Sequence, residues 1–252
     1  TKTNEVKEQA PLLFSLSNLQ RETNKFYGIS AAGTLAAAQS LYDTHKVLSY
    51  PRTSCQHLAW STLPLAQAAL DFLGHKIDAK KMGAKVFNDA KVGAAGHHAL
   101  IPLRAKSIAG KPLSSNEEKI FALVKARFVA AFMPPHVYKK TEVVLEAAKY
   151  NLYASARQTV SAGWRNVYPP GWKPFTEAPP VLLKAKEGDI LPLDEAGLNE
   201  GKTVPPPRFT ESTLLSLMKN AWRYVENSDI REALKEAEGV GTEATRQTSL
   251  KP

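Results

Sequence analysis

Apolar positions in the first half of the chain recur three and four residues apart, the spacing of one helix face; beyond Pro134 and Pro135 they alternate. Ser17 with Gln20 fits a capping box and Leu16 the apolar staple before it, so a helix is predicted to about Phe26, ended by Gly28. Ser30 predicts the next cap, with Leu35, Ala38, Leu41 and Tyr42 on one face of a helix reaching about His45. The segment VLSYPRT is then extended: Pro51 biases Tyr50 away from the α region and puts it at a strand end or in a loop. STLPLAQAALDFLG predicts a helix with Pro64 in its first turn and Gly74 just past its end. A polar, glycine-bearing loop is expected from Lys76 to Gly96. Ser115 and Glu118 fit a second capping box, opening a long helix that Pro134 and Pro135 stop.

In the second half, TEVVLEA and NLYASAR alternate and are rich in β-branched and aromatic residues, which predicts antiparallel strands. Residues 168–207 are proline-rich, with one strand expected at VLLKAKEGDIL. Thr210 is the expected cap of a helix over TESTLLSLMKNAWRYVEN, whose apolar face is Leu214, Leu217, Met218, Ala221, Trp222 and Val225. A short helix follows, then EGVGTEATRQ. The shifts at 134–140 and 200–208 are the best boundaries, and there is no internal repeat.

With 252 residues, 43% of them apolar, the chain can bury a sizeable core. Charge narrows the partners. Thirty-three Lys and Arg against 24 Asp and Glu leave +9, which favours polyanions such as nucleic acid or an anionic membrane surface. The single cysteine, Cys55, rules out an internal disulfide and a multi-thiolate zinc site. No run of about 18 apolar residues is present to span a membrane, and the polar start TKTNEVKEQA lacks the apolar core of a signal peptide.

Four stretches could carry chemistry. In YPR, Tyr50 and Arg52 are two apart and would share a face of an extended segment. A phenol has a pKa near 10 and needs help to attack, and a guanidinium can clamp a phosphodiester while charge develops. Taken alone, Tyr-x-Arg in a strand is more often structural. In GHHALIP, His97 and His98 cannot both face one way, so the pair does not suggest a metal site; one histidine bonding a phosphate or the backbone fits better. PPPRFTESTLL brings Arg208 and Thr210 to a helix start, where free N–H groups can seat a phosphate or simply be capped. In GVGTEATR, Gly239 and Gly241 allow close backbone approach, and Thr242 can cap a helix carrying Arg246. Neither a P-loop nor GxGxxG occurs, so nothing suggests a nucleotide triphosphate.

In this order, LSYPRTSC, HHALIP, PPPRFTESTLL and GVGTEATR resemble the type IA DNA topoisomerases, most closely their topoisomerase III branch, over roughly residues 10–250. LFSLSNLQRE and AAAQSLYDTHKVLSYPR fit as well. The resemblance implies that Tyr50 attacks one DNA strand and takes its 5′-phosphate. It further implies that Arg52 grips the scissile phosphate, that His97 lies at the active site, and that Arg208, Thr210, Thr242 and Arg246 contact the strand nearby. One phosphoester is exchanged for another, so no ATP is required. Mg²⁺ is implied, with its ligands in an N-terminal domain whose Asp-x-Asp cluster has no counterpart here, so the chain is expected to be a fragment, inactive alone. Ser54 stands where the family has Asp, and RQTSLKP departs from the family pattern.

The expected architecture is α+β and multidomain. A mostly helical tyrosine-bearing domain spans 14–136, an antiparallel β hinge domain 1–13 with 137–200, and a helical part of the base 201–252. The expected partner is DNA, single-stranded or negatively supercoiled, with no membrane; the expected state is a monomer in the bacterial cytoplasm, associated with the nucleoid. The competing reading is a non-catalytic single-strand-binding module on this scaffold, for which basic charge and exposed aromatics suffice. A tyrosine recombinase fails on order, because its tyrosine comes last.

Overall fold

Side-chain caps set where the helices begin. In the computed structural model, which describes residues 1–104, 106–147, 149–171, 173, 186, 188–190, 197, 200–237 and 239–241, the chain divides into two units. One comprises Thr1–Gln9, Pro135–Gly163 and Trp172–Arg208; the other comprises Ala10–Pro134, Trp164–Gly171 and Phe209–Pro252. Helices and one antiparallel sheet together make the chain α+β.

The first unit is built on a three-stranded antiparallel sheet in the order β1-β2-β3, with β1 Lys2–Glu8, β2 His136–Ala147 and β3 Tyr150–Ser161. β2 and β3 form a long hairpin in which Val144 faces Tyr153 and Leu145 faces Leu152 across the strands. Thr3 pairs with Thr141, their hydroxyls 3.1 Å apart. Thr141 and Val143, two apart and so on one face, are buried, whereas Val144 and Tyr153 are exposed. The strand expected at residues 181–191 lies almost wholly outside the described residues.

The second unit is helical: α1 Leu16–Tyr27, α2 Ala31–Asp43, α3 Leu63–Phe72, α4 Ala79–Met82, α5 Asp89–Ala95, α6 Ser115–Ala131, α7 Glu211–Lys219 and α8 Ser228–Glu236. Ser30 caps α2 as expected, its Oγ accepting from Gly33 N–H at 3.1 Å. Two other caps fall elsewhere than their spacing suggested. Ser15, not Ser17, caps α1; Ser17 lies inside the helix and is buried. The second capping box is Ser114 with Glu117, not Ser115 with Glu118. Its selection is tertiary. One Glu117 oxygen accepts from Ser114 N–H at 2.7 Å, while the other lies 3.5 Å from His45 Nε2, tying α6 to the end of α2. Glu118 is exposed and has no such second partner among the described residues.

α6 runs between two apolar clusters. Phe14, Leu19, Leu41, Leu48, Ile120 and Val124 are buried on one side, and Leu13, Leu58, Leu70, Phe87, Phe128 and Phe132 on the other. Each such side chain contributes roughly 1.5–3 kcal/mol on burial. Arg127 is buried with them, its guanidinium 4.8 Å from the ring centroids of both Phe14 and Tyr168 and its Nε donating to the Leu12 carbonyl at 2.6 Å.

The expected loop from Lys76 to Gly96 contains two short helices, α4 and α5, capped by Asp78 and Asn88. They are only four and seven residues long, too short to show a period. Gly83 closes α4 where a β-carbon would run into the Phe132 ring and the Ala79 carbonyl. The single helix expected after Thr210 is broken. α7 stops at Lys219, a 3₁₀ turn takes Ala221–Tyr224, and the buried residue is Leu215 rather than the predicted stripe. The Met218 carbonyl, which a continuing helix would use, accepts Val240 N–H at 3.0 Å. Gly239 makes that approach feasible, since a β-carbon there would strike the Met218 carbonyl.

Candidate active site

Tyr50 stands on a short turn held at both ends by buried hydroxyls. Before it, Ser49 N–H donates to the Ile101 carbonyl at 3.0 Å, and Ser49 Oγ accepts Ile101 N–H at 2.9 Å while reaching the Ala99 carbonyl at 3.4 Å. After it, Thr53 Oγ1 donates to the His97 carbonyl at 3.2 Å and accepts Cys55 N–H at 3.1 Å. The chain between cannot continue a ladder, because Pro51 has no N–H to give. Instead Thr53 N–H closes a tight turn onto the Pro51 carbonyl at 3.0 Å. Tyr50 and Arg52 therefore lie on a turn, not along one face of a regular strand.

The Tyr50 ring is half-buried between two others. Tyr42, the last residue but one of α2, meets it edge-on at 5.6 Å and 77°, and His97 lies 4.7 Å away at 46°. His97 is exposed and follows α5 directly. His98 turns away, its Nδ1 2.7 Å from the Ala99 carbonyl, so the adjacent histidines divide their roles. Arg52, two positions after Tyr50 on the same turn, is exposed with no ion pair among the described residues. Ser54 is exposed as well.

The other predicted residues are not gathered here. Thr210 caps α7, accepting Thr213 N–H at 3.2 Å. The neighbouring N–H of Ser212 is taken by Asn24 Oδ1 at 3.1 Å, and the Glu211 carboxylate accepts Ala31 N–H at 2.5 Å. The start of α7 is thus satisfied by the protein itself rather than open to a phosphate. It docks at the first residue of α2, whereas Tyr42 is eleven positions on, a rise of about 16 Å. Arg208 is exposed and belongs to the sheet-bearing unit. Thr242 and Arg246 lie outside the described residues. Gly239, expected to admit a close partner, admits the chain's own helix α7.

Three contributors escaped the sequence reading. Ser49 and Thr53 flank the turn symmetrically, which a search for hydroxyls on either side of YPR would have found. Tyr42 reads in the sequence only as part of an apolar helix face. Among the described residues no group of three or more His, Cys, Asp or Glu is placed to hold a metal ion, and no helix is long and apolar enough to cross a membrane.

The chain matches known proteins along its whole length. The family model for DNA topoisomerase matches residues 1–251. DNA topoisomerase 3 of Salmonella typhimurium is 37% identical over 251 residues, covering 95% of this chain and 37% of that protein. DNA topoisomerase 3 of Shouchella clausii is 40% identical over 250 residues, covering 94% and 34% respectively. The full-length topoisomerase I of Thermotoga maritima shares the fold, with a TM-score of 0.60 at 22% identity over 99% of this chain and 38% of that one. The chain thus spans little more than a third of the length of the curated relatives it matches. Because that family model matches residues 1–251 of this chain, the chain belongs to the DNA topoisomerase family.

Proposed function

We propose that this chain carries the strand-cleaving tyrosine of an ATP-independent type IA DNA topoisomerase. Tyr50 Oη attacks a phosphodiester of one DNA strand. The Oη–P bond forms as the P–O3′ bond breaks, the phenolic proton is lost, and the 3′ oxygen leaves as a hydroxyl after gaining a proton. The 5′-phosphate stays on Tyr50 while a strand passes, and reversal of the same step reseals the break, relaxing negative supercoils or decatenating DNA. Arg52 holds the non-bridging oxygens, and its charge counters what develops in the transition state. His97, against the phenol ring, bonds the phosphate or moves the proton.

The observation that supports this reading is the turn itself. A half-buried phenol lies against an exposed imidazole, on backbone pinned by Ser49 and Thr53 that also carries Arg52, exposed and with no ion pair among the described residues. In this reading Arg208, Thr210, Thr242 and Arg246 contact the strand, Thr210 through its exposed surface while its hydroxyl caps α7, and the domains are 14–136, 1–13 with 137–200, and 201–252. The partner is DNA, single-stranded or negatively supercoiled, and the protein acts as a monomer in the cytoplasm, associated with the nucleoid. Among the described residues no group of three or more His, Cys, Asp or Glu could hold Mg²⁺, and in this reading its ligands come from outside this chain. The test is covalent trapping: with the N-terminal domain of a topoisomerase 3 relative and Mg²⁺ supplied, a DNA adduct forms, and Tyr50→Phe abolishes it. Binding without any adduct would favour the single-strand-binding module instead.

A further inference from the structure

Lys46 is the one described residue other than glycine with a positive φ, at 55°. It follows α2 in a helix-ending turn: Val47 N–H donates to the Leu41 carbonyl and His45 N–H to the Ser40 carbonyl. That is the place where a helix ordinarily ends on a left-handed glycine, and a β-carbon there is strained. A cation recovers something from the helix dipole, but a lysine anywhere in the last turn would recover as much without the strain. Strain kept in a backbone points to a use for the side chain.

The surroundings supply one. Lys46 is exposed, with no ion pair among the described residues, and its Nζ lies 5.4 Å from the centroid of the Tyr42 ring. Tyr42 leans edge-on against Tyr50 at 5.6 Å. The left-handed turn folds the ammonium back over the Tyr42 ring, no more than about 11 Å from the Tyr50 ring. We propose that Lys46 binds a backbone phosphate of the DNA strand neighbouring the one presented to Tyr50. An ammonium suits this task, being a point charge that needs no fixed fork geometry. The inference rests on the reading of Tyr50 as a nucleophile toward DNA, and it adds a second cation that the YPR motif does not contain.

The strain makes the test discriminating. Lys46→Gly removes the cation and the strained β-carbon together, so its melting temperature should be no lower than that of the unchanged chain. Binding of a fluorescein-labelled single-stranded oligonucleotide is followed by anisotropy between 50 and 200 mM salt. Loss of one phosphate contact lowers the slope of log K against log salt by about 0.7, equivalent to binding about eightfold weaker at 50 mM and about threefold weaker at 200 mM. Lys46→Arg should keep the slope. Should the glycine variant lose the fold, Lys46→Asn, which tolerates the left-handed region, gives the same reading. A folded variant without the cation that keeps the original slope and affinity overturns the inference and leaves Tyr50 untouched. An unchanged chain that binds no oligonucleotide at 50 mM salt also overturns it, while the reading of Tyr50 falls only to the trapping test.

Discussion

The rings of Tyr50 and His97, 47 positions apart in the chain, stand 4.7 Å from each other. Two short segments are laid together to achieve this by the bonds of Ser49 to Ile101 and of Thr53 Oγ1 to the carbonyl of His97 itself. The imidazole's position is therefore set by the same clamp that sets the phenol's. His97 is exposed and contributes little to the core, so His97→Ala should change stability by no more than about 0.5 kcal/mol. Adduct formation should nevertheless fall by about 100-fold or more if the ring moves a proton or binds the phosphate. Quench-flow of adduct formation beside thermal melts separates the two effects.

Removal of the clamp should do the reverse. Ser49→Ala and Thr53→Ala each strand a buried partner, Ile101 N–H in the first case and Cys55 N–H in the second. An unsatisfied buried group costs about 1–3 kcal/mol, so urea midpoints should drop for both. Adduct formation should fall too, since the turn loses an anchor. Ser49→Thr and Thr53→Ser, which keep the hydroxyl, should recover most of it.

Burial, the largest influence on the Glu117 carboxyl, pushes its pKa up. Hydrogen bonds with Ser40 and Ser114 and the charge of His45 outweigh that and leave it below the usual carboxylate range. A carboxyl depressed by folding adds stability that is fully present above the unfolded value, about 4.3, and is lost as pH falls through the lower folded value. Glu117→Gln should flatten this acid limb. It should also cost about 1 kcal/mol at neutral pH through the weakened cap of α6. Melting temperatures of both proteins between pH 3 and 7 check the sign.

Arg127 should be hard to replace. Its guanidinium lies between Phe14 and Tyr168 and donates to the Leu12 carbonyl. Arg127→Ala should cost about 2–4 kcal/mol, from a desolvated cation–π pair and a charged hydrogen bond. Arg127→Lys should restore little of it, because an ammonium cannot present a flat face to two rings. Chemical denaturation of the three proteins measures both expectations.

Period and punctuation made much of this fold legible beforehand. Ser30, Pro64, Pro134 and Thr210 each mark an element end that rests on local chemistry, and each is found there. What failed was decided at a distance. Glu117 is chosen over Glu118 by His45, seventy-two residues away, and α7 is cut short by a carbonyl diverted to Val240. Candidate chemistry divides the same way. YPR and HH are visible as words, and the structure brings Tyr50 and His97 together. The hydroxyls that hold them, and the strained Lys46 behind Tyr42, carry no signal until the backbone is seen.

The most direct measurement attaches DNA to a single oxygen. A 3′-labelled single-stranded oligonucleotide is incubated with this chain, the N-terminal domain of a topoisomerase 3 relative and Mg²⁺, then denatured and digested. The account predicts label on the peptide containing Tyr50 and none with Tyr50→Phe; label retained by the Phe variant, or carried by another peptide, would contradict it.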